Sequence, residues 1–424
     1  MIRNILTIMR GTVLAQAIGF LALPVLSRLF APESFGHYQL FISLLTLALV
    51  LPTLRYEVAL LRVDDGDDYR GLLRICLILC VAVSLLVAAL VGILELVDWP
   101  DQLDDIPFSP WLLVVAMMIG GVSQVFNLVA TREKSYPVIA NSKIVQSLVY
   151  VGFALGTGAV LADPLGLVYA DIIGRVALLV FLGAWMLKAV PDMRGKIAWP
   201  AVRTLIHRYR EYPFISTPGT LINVTGGILT PIMIYATFSA ASSGQYGLLE
   251  RSVAMPLSLI VIAVGQVYTS EFSHQLRSDK AEALKAFRKL LKVMALVALV
   301  PMIVLLVGGP TLFALFFGEE WQLAGQLARI MAPAFATTLL SGPIHMVLTV
   351  LGYQKLQTAW EVSRLALVLG LWSMVPVLSM SLTFAVGIYS GIIVACNLGF
   401  VLLAFLTLRH ALATESQTPA AGAQ

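Results

Sequence analysis

The sequence predicts an all-α polytopic membrane protein. The expected form is twelve transmembrane helices in two six-helix lobes, related by a pseudo-twofold axis along the membrane normal around a central cavity. Composition, the spacing of apolar segments and a partial internal repeat lead there. Of 424 residues, 59% are hydrophobic and 12% charged, with a mean hydropathy of +0.88. Soluble domains carry about 25% charged residues, so this chain has half the usual supply. That balance excludes a soluble enzyme, a secreted disulfide scaffold and a disordered polymer.

Twelve apolar segments follow in order: 4–29, 35–61, 70–96, 109–131, 136–161, 164–187, 212–238, 243–270, 284–308, 321–350, 356–378 and 383–408. A span needs roughly 20 apolar residues, so twelve use about 240 and leave short connectors. Ala15-Gln16-Ala17 in the first segment resembles a signal-peptide cleavage site. Arg10 interrupts the apolar region and the run continues past that site, so a retained first helix is expected. Cys76 and Cys80 share a face of the third helix with no His or carboxylate at ligand spacing. With Cys396 they read as inert thiols, and no metal site is expected. Segments six and seven flank the longest connector, which carries Lys188, Arg194, Lys196, Arg203, Arg208 and Arg210. The expected division is a first lobe over 1–190, a basic linker over 191–211, a second lobe over 212–410 and a disordered tail over 411–424.

Placing both termini in the cytoplasm puts 21 of the 28 Lys and Arg residues on the inner side and one, Arg28, outside. That asymmetry satisfies the positive-inside rule only if the span count is right. Trp99, Trp111 and Trp321 fall at outer ends, as an aromatic belt requires. The halves also echo each other. Gly11-Thr12 matches Gly219-Thr220, and Gly36-x-Tyr38-x-Leu40 matches Gly244-x-Tyr246-x-Leu248, both 208 residues apart. Pro24 and Pro231 follow at nearly that offset. An even number of helices per repeat makes the repeats parallel. Breakers at Pro24, Pro52, Pro218, Pro231, Pro256, Pro333 and Pro343, with Gly226 and Gly227, suggest bent helices lining a wet cavity.

Six cations remain inside spans: Arg10, Lys143, Arg175, Arg251, Arg329 and Arg364. Each costs about 2.5–3.5 kcal/mol at the bilayer centre unless it meets water or a partner. Asp171 lies four residues before Arg175 and Glu361 three before Arg364, while Glu250 is adjacent to Arg251 and needs another helix. A cavity with surplus guanidinium attracts an anion, above all phosphate. The basic connectors are better explained by retention at anionic lipid than by nucleic acid. No P-loop, His cluster or sizeable outer loop occurs, so no catalytic residues are assigned and an enzyme is not expected.

The opening Gly11-Thr12 with Gln16, Pro24-x-Leu26-x-Arg28, Ala31-Pro32-Glu33-x-Phe35-Gly36-x-Tyr38 and Arg55-Tyr56-Glu57 resembles the polysaccharide transporter branch of the MOP superfamily. That branch includes bacterial O-antigen and capsule repeat-unit flippases. Resemblance is strongest over 10–60 and returns over 212–249. It implies a MATE-like V-shaped fold and transport of undecaprenyl-pyrophosphate-linked oligosaccharide from the cytoplasmic to the periplasmic leaflet of the bacterial inner membrane. It further implies a cationic lumen, a coupling cation (H+ or Na+) and partner polysaccharide polymerase machinery. On this reading Arg10, Lys143 and Arg364 meet the pyrophosphate first. Arg175, tempered by Asp171, holds it near midplane, and Arg251 and Arg329, beside Glu250, release it. Arg28, Arg55 and Glu57 are gate or structural residues. The rival is a MATE-like cation-coupled antiporter of drugs or metabolites. Its cationic cargo wants cavity carboxylates, which the in-span cations outnumber here.

Overall fold

The computed structural model describes residues 2–63, 66–96, 106–161, 163–189, 199–278 and 280–415. Trp99, expected at an outer end, lies outside them. So do Arg194 and Lys196 of the linker and the tail beyond Glu415. Sixteen α-helices occur among the described residues: α1 Ile2–Leu29, α2 Pro32–Ala48, α3 Tyr56–Ala59, α4 Asp67–Leu96, α5 Pro110–Arg132, α6 Tyr136–Val160, α7 Gly166–Ala189, α8 Trp199–Arg208, α9 Thr217–Thr237, α10 Ala240–Leu249, α11 Met255–Ser278, α12 Lys280–Phe317, α13 Gln322–Ser341, α14 Val347–Val350, α15 Gln354–Val377 and α16 Leu382–Glu415. Eleven helical stretches among them are long and apolar enough to cross a membrane. The second apolar segment supplies a twelfth in broken form.

That break goes further than the bend that Pro52 suggested within 35–61. Helix α2 stops at Ala48, single-turn bonds carry the chain through Leu49–Leu54, and α3 adds one turn. Pro52 has no N–H to donate. Leu54 and Arg55 take left-handed backbone angles (φ 48° and 64°), which side chains with a Cβ avoid. Neighbouring helices make room for the bend. A Cβ on Gly120 of α5 would press into Leu49, and one on Gly121 would come 2.6 Å from Pro52 Cβ. Tyr56, Ala59 and Leu60 join Leu72, Cys76, Cys80, Val125 and Met186 in one buried cluster. The two thiols are buried and free.

Two more prolines are absorbed by single π-turns. Pro218 leaves the Phe214 carbonyl without its helical donor, and the turn Tyr212–Ser216 widens so that Thr217 N–H reaches the Tyr212 carbonyl. Pro256 has the same effect on the turn Glu250–Ala254, where Met255 N–H bonds the Glu250 carbonyl. Such widened turns recur at functional sites.

The chain divides into two compact units, Met1–Gly244 and Gln245–Gln424. The seventh apolar helix, α9, lies in the first of these units, where it packs on α2. In the first unit α1 packs on α6, where Gly11 sits against Ala140 and Ser147 Oγ donates to the Ala15 carbonyl at 2.7 Å. The described part of the linker is α8, an amphipathic helix. Its Leu205 is buried, and the Tyr56 hydroxyl donates to the Ile206 carbonyl at 3.2 Å.

In the second unit α12 and α13 cross tightly at Gly309 and Gly325. Gln245 ties the start of α13, donating to the Glu320 carbonyl at 2.6 Å and accepting from Ala324 N–H at 2.9 Å. Trp321, expected at the interface, is instead fully buried in this corner. Trp111 does stand exposed, its Nε1 donating to Glu95 at 3.1 Å. After α13, Pro343 ends the helix in a 3-10 turn, Gly342–Ile344, followed by the short α14. Helix α16 runs to Glu415, past the position where the tail was expected to begin.

Candidate functional site

Asp171 and Arg175 lie one turn apart on α7, and their side chains meet at 2.5 Å. Both are largely buried, with 9% and 18% of their side chains exposed, so this pair is neutralised within the first unit. The Tyr38 hydroxyl of α2 donates a longer bond of 3.4 Å to the other carboxylate oxygen. Tyr38 is itself stacked on Tyr150 of α6. Three helices therefore fix this ion pair.

Lys143 of α6 is half-buried and donates to Thr12 Oγ1 of α1 at 3.1 Å, a neutral partner that leaves its charge uncompensated. Arg10 is exposed two residues before that threonine. Arg28 is exposed and donates from Nη1 to the Pro24 carbonyl at 2.6 Å. Arg55 and Glu57 face each other across the break at 3.5 Å. Glu57 is buried and accepts a short bond from Thr53. Arg132 lies over the Tyr69 ring at 4.4 Å and donates to the Leu60 carbonyl, serving backbone that the broken helix leaves open. Sequence analysis does not single out Arg132. The cue it missed was Pro52, whose break needs a donor from elsewhere.

In the second unit Glu250 and Arg251 occupy the π-turn before Pro256, both partly buried. Arg329 is exposed on α13. Arg364 meets Glu361 at 2.7 Å on α15. That pair continues into residues that sequence reading did not single out. His345 Nε2 lies 2.7 Å from Glu361, Gln357 Nε2 lies 3.1 Å from His345 Nδ1, and Thr349 Oγ1 donates to Gln357 Oε1 at 2.5 Å. The His345 ring stacks on Phe400 of α16 at 5.5 Å. Only the closeness of His345 to Pro343 hinted at this in the sequence.

Among the described residues no three His, Cys, Asp or Glu side chains come together as metal ligands. Three of the eight expected substrate-binding residues, Arg10, Lys143 and Arg329, carry positive charge on membrane-spanning helices with no carboxylate paired to them among the described residues. Asp171 and Glu361 are each already occupied by an arginine. What remains is cationic.

A family model described as polysaccharide biosynthesis protein matches residues 25–325. The chain belongs to that family. Among curated proteins none matches the sequence. Solved structures show a shared fold at low identity. An inward-facing multidrug resistance MATE family transporter of the MOP superfamily aligns with TM-score 0.68 and 14% identity, over 97% of this chain and 96% of that one. The lipid II flippase MurJ, in an inward closed conformation, aligns at 0.67 and 10% identity, over 96% and 92%. A MOP superfamily transporter from Pyrococcus furiosus, described by a reverse polarity of its binding pocket, aligns at 0.57 and 15%, over 98% and 96%. The family member described here thus has the expected all-α, multi-pass fold of MATE proteins and MurJ.

Proposed function

We propose that this family member is a flippase. It carries polyprenyl-pyrophosphate-linked oligosaccharide repeat units from the cytoplasmic to the periplasmic leaflet of the bacterial inner membrane, for O-antigen, capsule or exopolysaccharide synthesis. The observation that carries this reading is the set of uncompensated span cations, Arg10, Lys143 and Arg329. An unpaired cation on a membrane helix is retained at a cost of about 2.5–3.5 kcal/mol, which an anionic cargo would offset. Membership in a polysaccharide biosynthesis family supports a sugar carried on lipid phosphate as that anion. A lipid II flippase shares the fold, which supports a lipid-borne cargo.

In this reading both termini are cytoplasmic, and polymerase machinery takes the product. Sugar and pyrophosphate enter a wet path while the polyprenyl tail stays in lipid. Arg10 and Lys143 receive the phosphates by charge-assisted hydrogen bonds, joined by Arg364 when its bond to Glu361 loosens. Arg175 contributes only when its bond to Asp171 loosens, since the pair as built is neutral. Arg251 and Arg329 act last. Fold alone does not choose the cargo's sign, because MOP proteins include a pocket of reversed polarity. The antiporter reading requires free carboxylates, and the in-span acids Asp171 and Glu361 are committed to arginines.

The test is translocation of a labelled lipid-linked oligosaccharide in inverted vesicles. Loss of one phosphate contact of about 1.5–3 kcal/mol slows transport by about tenfold or more in Arg10→Ala, Lys143→Ala or Arg329→Ala. Unchanged transport in all three rejects the cationic path.

A further inference from the structure

Two carboxamides stand deep in membrane-spanning helices of the first unit. Gln16 of α1 and Asn223 of α9 are exposed, and neither makes a hydrogen bond among the described residues. Each lies about 16 Å or more from both ends of its apolar segment, too far for a short side chain to reach a headgroup. An unpaired amide facing hydrocarbon is costly. Asn and Gln within spans escape that cost by bonding to another helix. Asn397 does so here, donating to Thr337 and Thr338 at 3.3 and 3.0 Å. Gln16 and Asn223 do not, so they face a wet path rather than lipid.

The helix faces agree with that placement. Between Gly219 and Thr230, one side of α9 reads Gly219, Thr220, Asn223, Gly226, Gly227, Thr230, with no apolar side chain in the row. Ile222, also exposed, lies about 100° around the helix, where lipid can take it. On α1, Gln16 shares a row with Thr12 and Gly19, and the exposed Leu14 and Leu21 occupy the far side. Space is open beside both amides, since nothing comes within 4 Å of a Cβ position at Gly19, Gly219 or Gly227. The two halves repeat the arrangement. Gln16 follows the Gly11-Thr12 pair by one turn, and Asn223 follows Gly219-Thr220 by one turn. In the first half this turn also carries a cation, because Thr12 accepts from Lys143 at 3.1 Å.

The amide's own chemistry selects what it binds. A carboxamide sets two donors and an acceptor side by side and carries no charge. Phosphate only accepts, so it would leave the amide oxygen facing an anion. An ammonium only donates, so it would leave the NH2 idle. Acyl chains use neither end. A sugar hydroxyl donates and accepts, and neighbouring hydroxyls on one ring engage both ends of the amide together. Water holds these positions until the sugar displaces it.

We propose that Gln16 and Asn223 bind hydroxyl groups of the cargo's sugars, as neutral carbohydrate contacts distinct from the cations that take the phosphates. This assignment rests on the flippase reading and adds to it the residues that recognise the glycan. The pyrophosphate is held by charge, whichever sugar it carries, and the amides favour a lipid that bears sugar over one that does not.

The test measures binding to the full chain in lipid nanodiscs. Two probes are compared: undecaprenyl pyrophosphate carrying the repeat-unit oligosaccharide extracted from cells that make this protein, and undecaprenyl pyrophosphate alone. Gln16→Leu and Asn223→Leu should each weaken binding of the glycosylated lipid by about three- to tenfold and leave the bare lipid unchanged. Asn223→Gln, which keeps the amide, should bind closer to wild type than the leucine variant. Lys143→Ala should weaken both lipids alike. Unfolding temperatures should not fall in the leucine variants, since no protein partner is removed. Equal effects on both lipids, or none on either, overturn the carbohydrate role. So does a loss of binding that tracks a loss of stability, which would make the amides helix struts. A wild type that binds the bare lipid and gains nothing from the sugar overturns it as well, while the cationic path stands. If wild type binds neither lipid, the flippase reading fails and this assignment falls with it.

Discussion

Gly36 and Gly244 sit in reciprocal contacts. A Cβ on Gly36 would overlap the Ala240 carbonyl, and a Cβ on Gly244 would overlap the Pro32 carbonyl and come 2.8 Å from Gly36 N. Pro32 and Ala240 are 208 residues apart, as are the two glycines. One contact is therefore the other shifted by a single repeat. It turns the sequence echo into packing, and it explains why both positions are glycine. Gly36→Ala or Gly244→Ala drives a methyl group into backbone, so either should destabilise by about 1–3 kcal/mol or more. Gly219, also part of the repeat, has open space around its Cβ position, and Gly219→Ala should be tolerated. Thermal unfolding of the purified protein in detergent checks all three.

The Asp171–Arg175 pair should behave as a buried ion pair. Removing one partner strands the other, so Asp171→Asn should cost about 3–5 kcal/mol. The double change Asp171→Leu with Arg175→Leu should recover most of that loss, because an apolar pair of similar bulk needs no charge compensation. Tyr38→Phe removes a bond of 3.4 Å and should cost less than about 1 kcal/mol. A double-mutant cycle followed by unfolding decides it. Near-additive single losses would mean that the two groups are served separately.

The break after α2 gives a third prediction. Glu57 is buried and serves both Thr53 and Arg55. Glu57→Gln keeps an oxygen for Thr53 and should be mild. Glu57→Leu leaves the hydroxyl and guanidinium without an acceptor and should cost about 2–4 kcal/mol. Gly121→Val would push into Pro52, so it should be as damaging as the leucine change. If the valine is harmless, the close approach of α5 does not hold the bend in place.

How much of this was legible beforehand depended on which physical signal each feature leaves. Apolar length marks a span without reference to its neighbours, so the helices were readable in order. The two arginine–carboxylate pairs were readable too, because i,i+3 and i,i+4 spacing fixes who can meet. Pro52 announced a breaker but not that the chain would leave the helix entirely, since that outcome rests on Gly120 and Gly121 in another span. The His345–Gln357–Thr349 relay joins residues from two sides of a break, and no periodicity encodes it. Trp321 looked interfacial because belts are inferred from position along the chain. Its burial depends on the corner built by Gln245 and α13.

Stability and transport should move in opposite directions at the uncompensated cations, and this separates a cargo site from a structural one. A structural charge is held by partners, so its removal weakens the fold. Lys143 has one neutral partner and is half-buried, which means that its charge is desolvated without return from the folded protein itself. Lys143→Met keeps the length and apolar stem while deleting that charge. Its unfolding temperature should stay level or rise by a few degrees, corresponding to about 0.5–2 kcal/mol, as expected for a residue kept for activity. Oligosaccharide transport should fall over the same substitution, and Lys143→Arg should restore most of it, because guanidinium also binds phosphate. Arg329→Met should show the same divergence. A parallel loss of stability and transport in both variants would instead make these cations struts of the helix packing, and the cargo's charge would have to be met elsewhere.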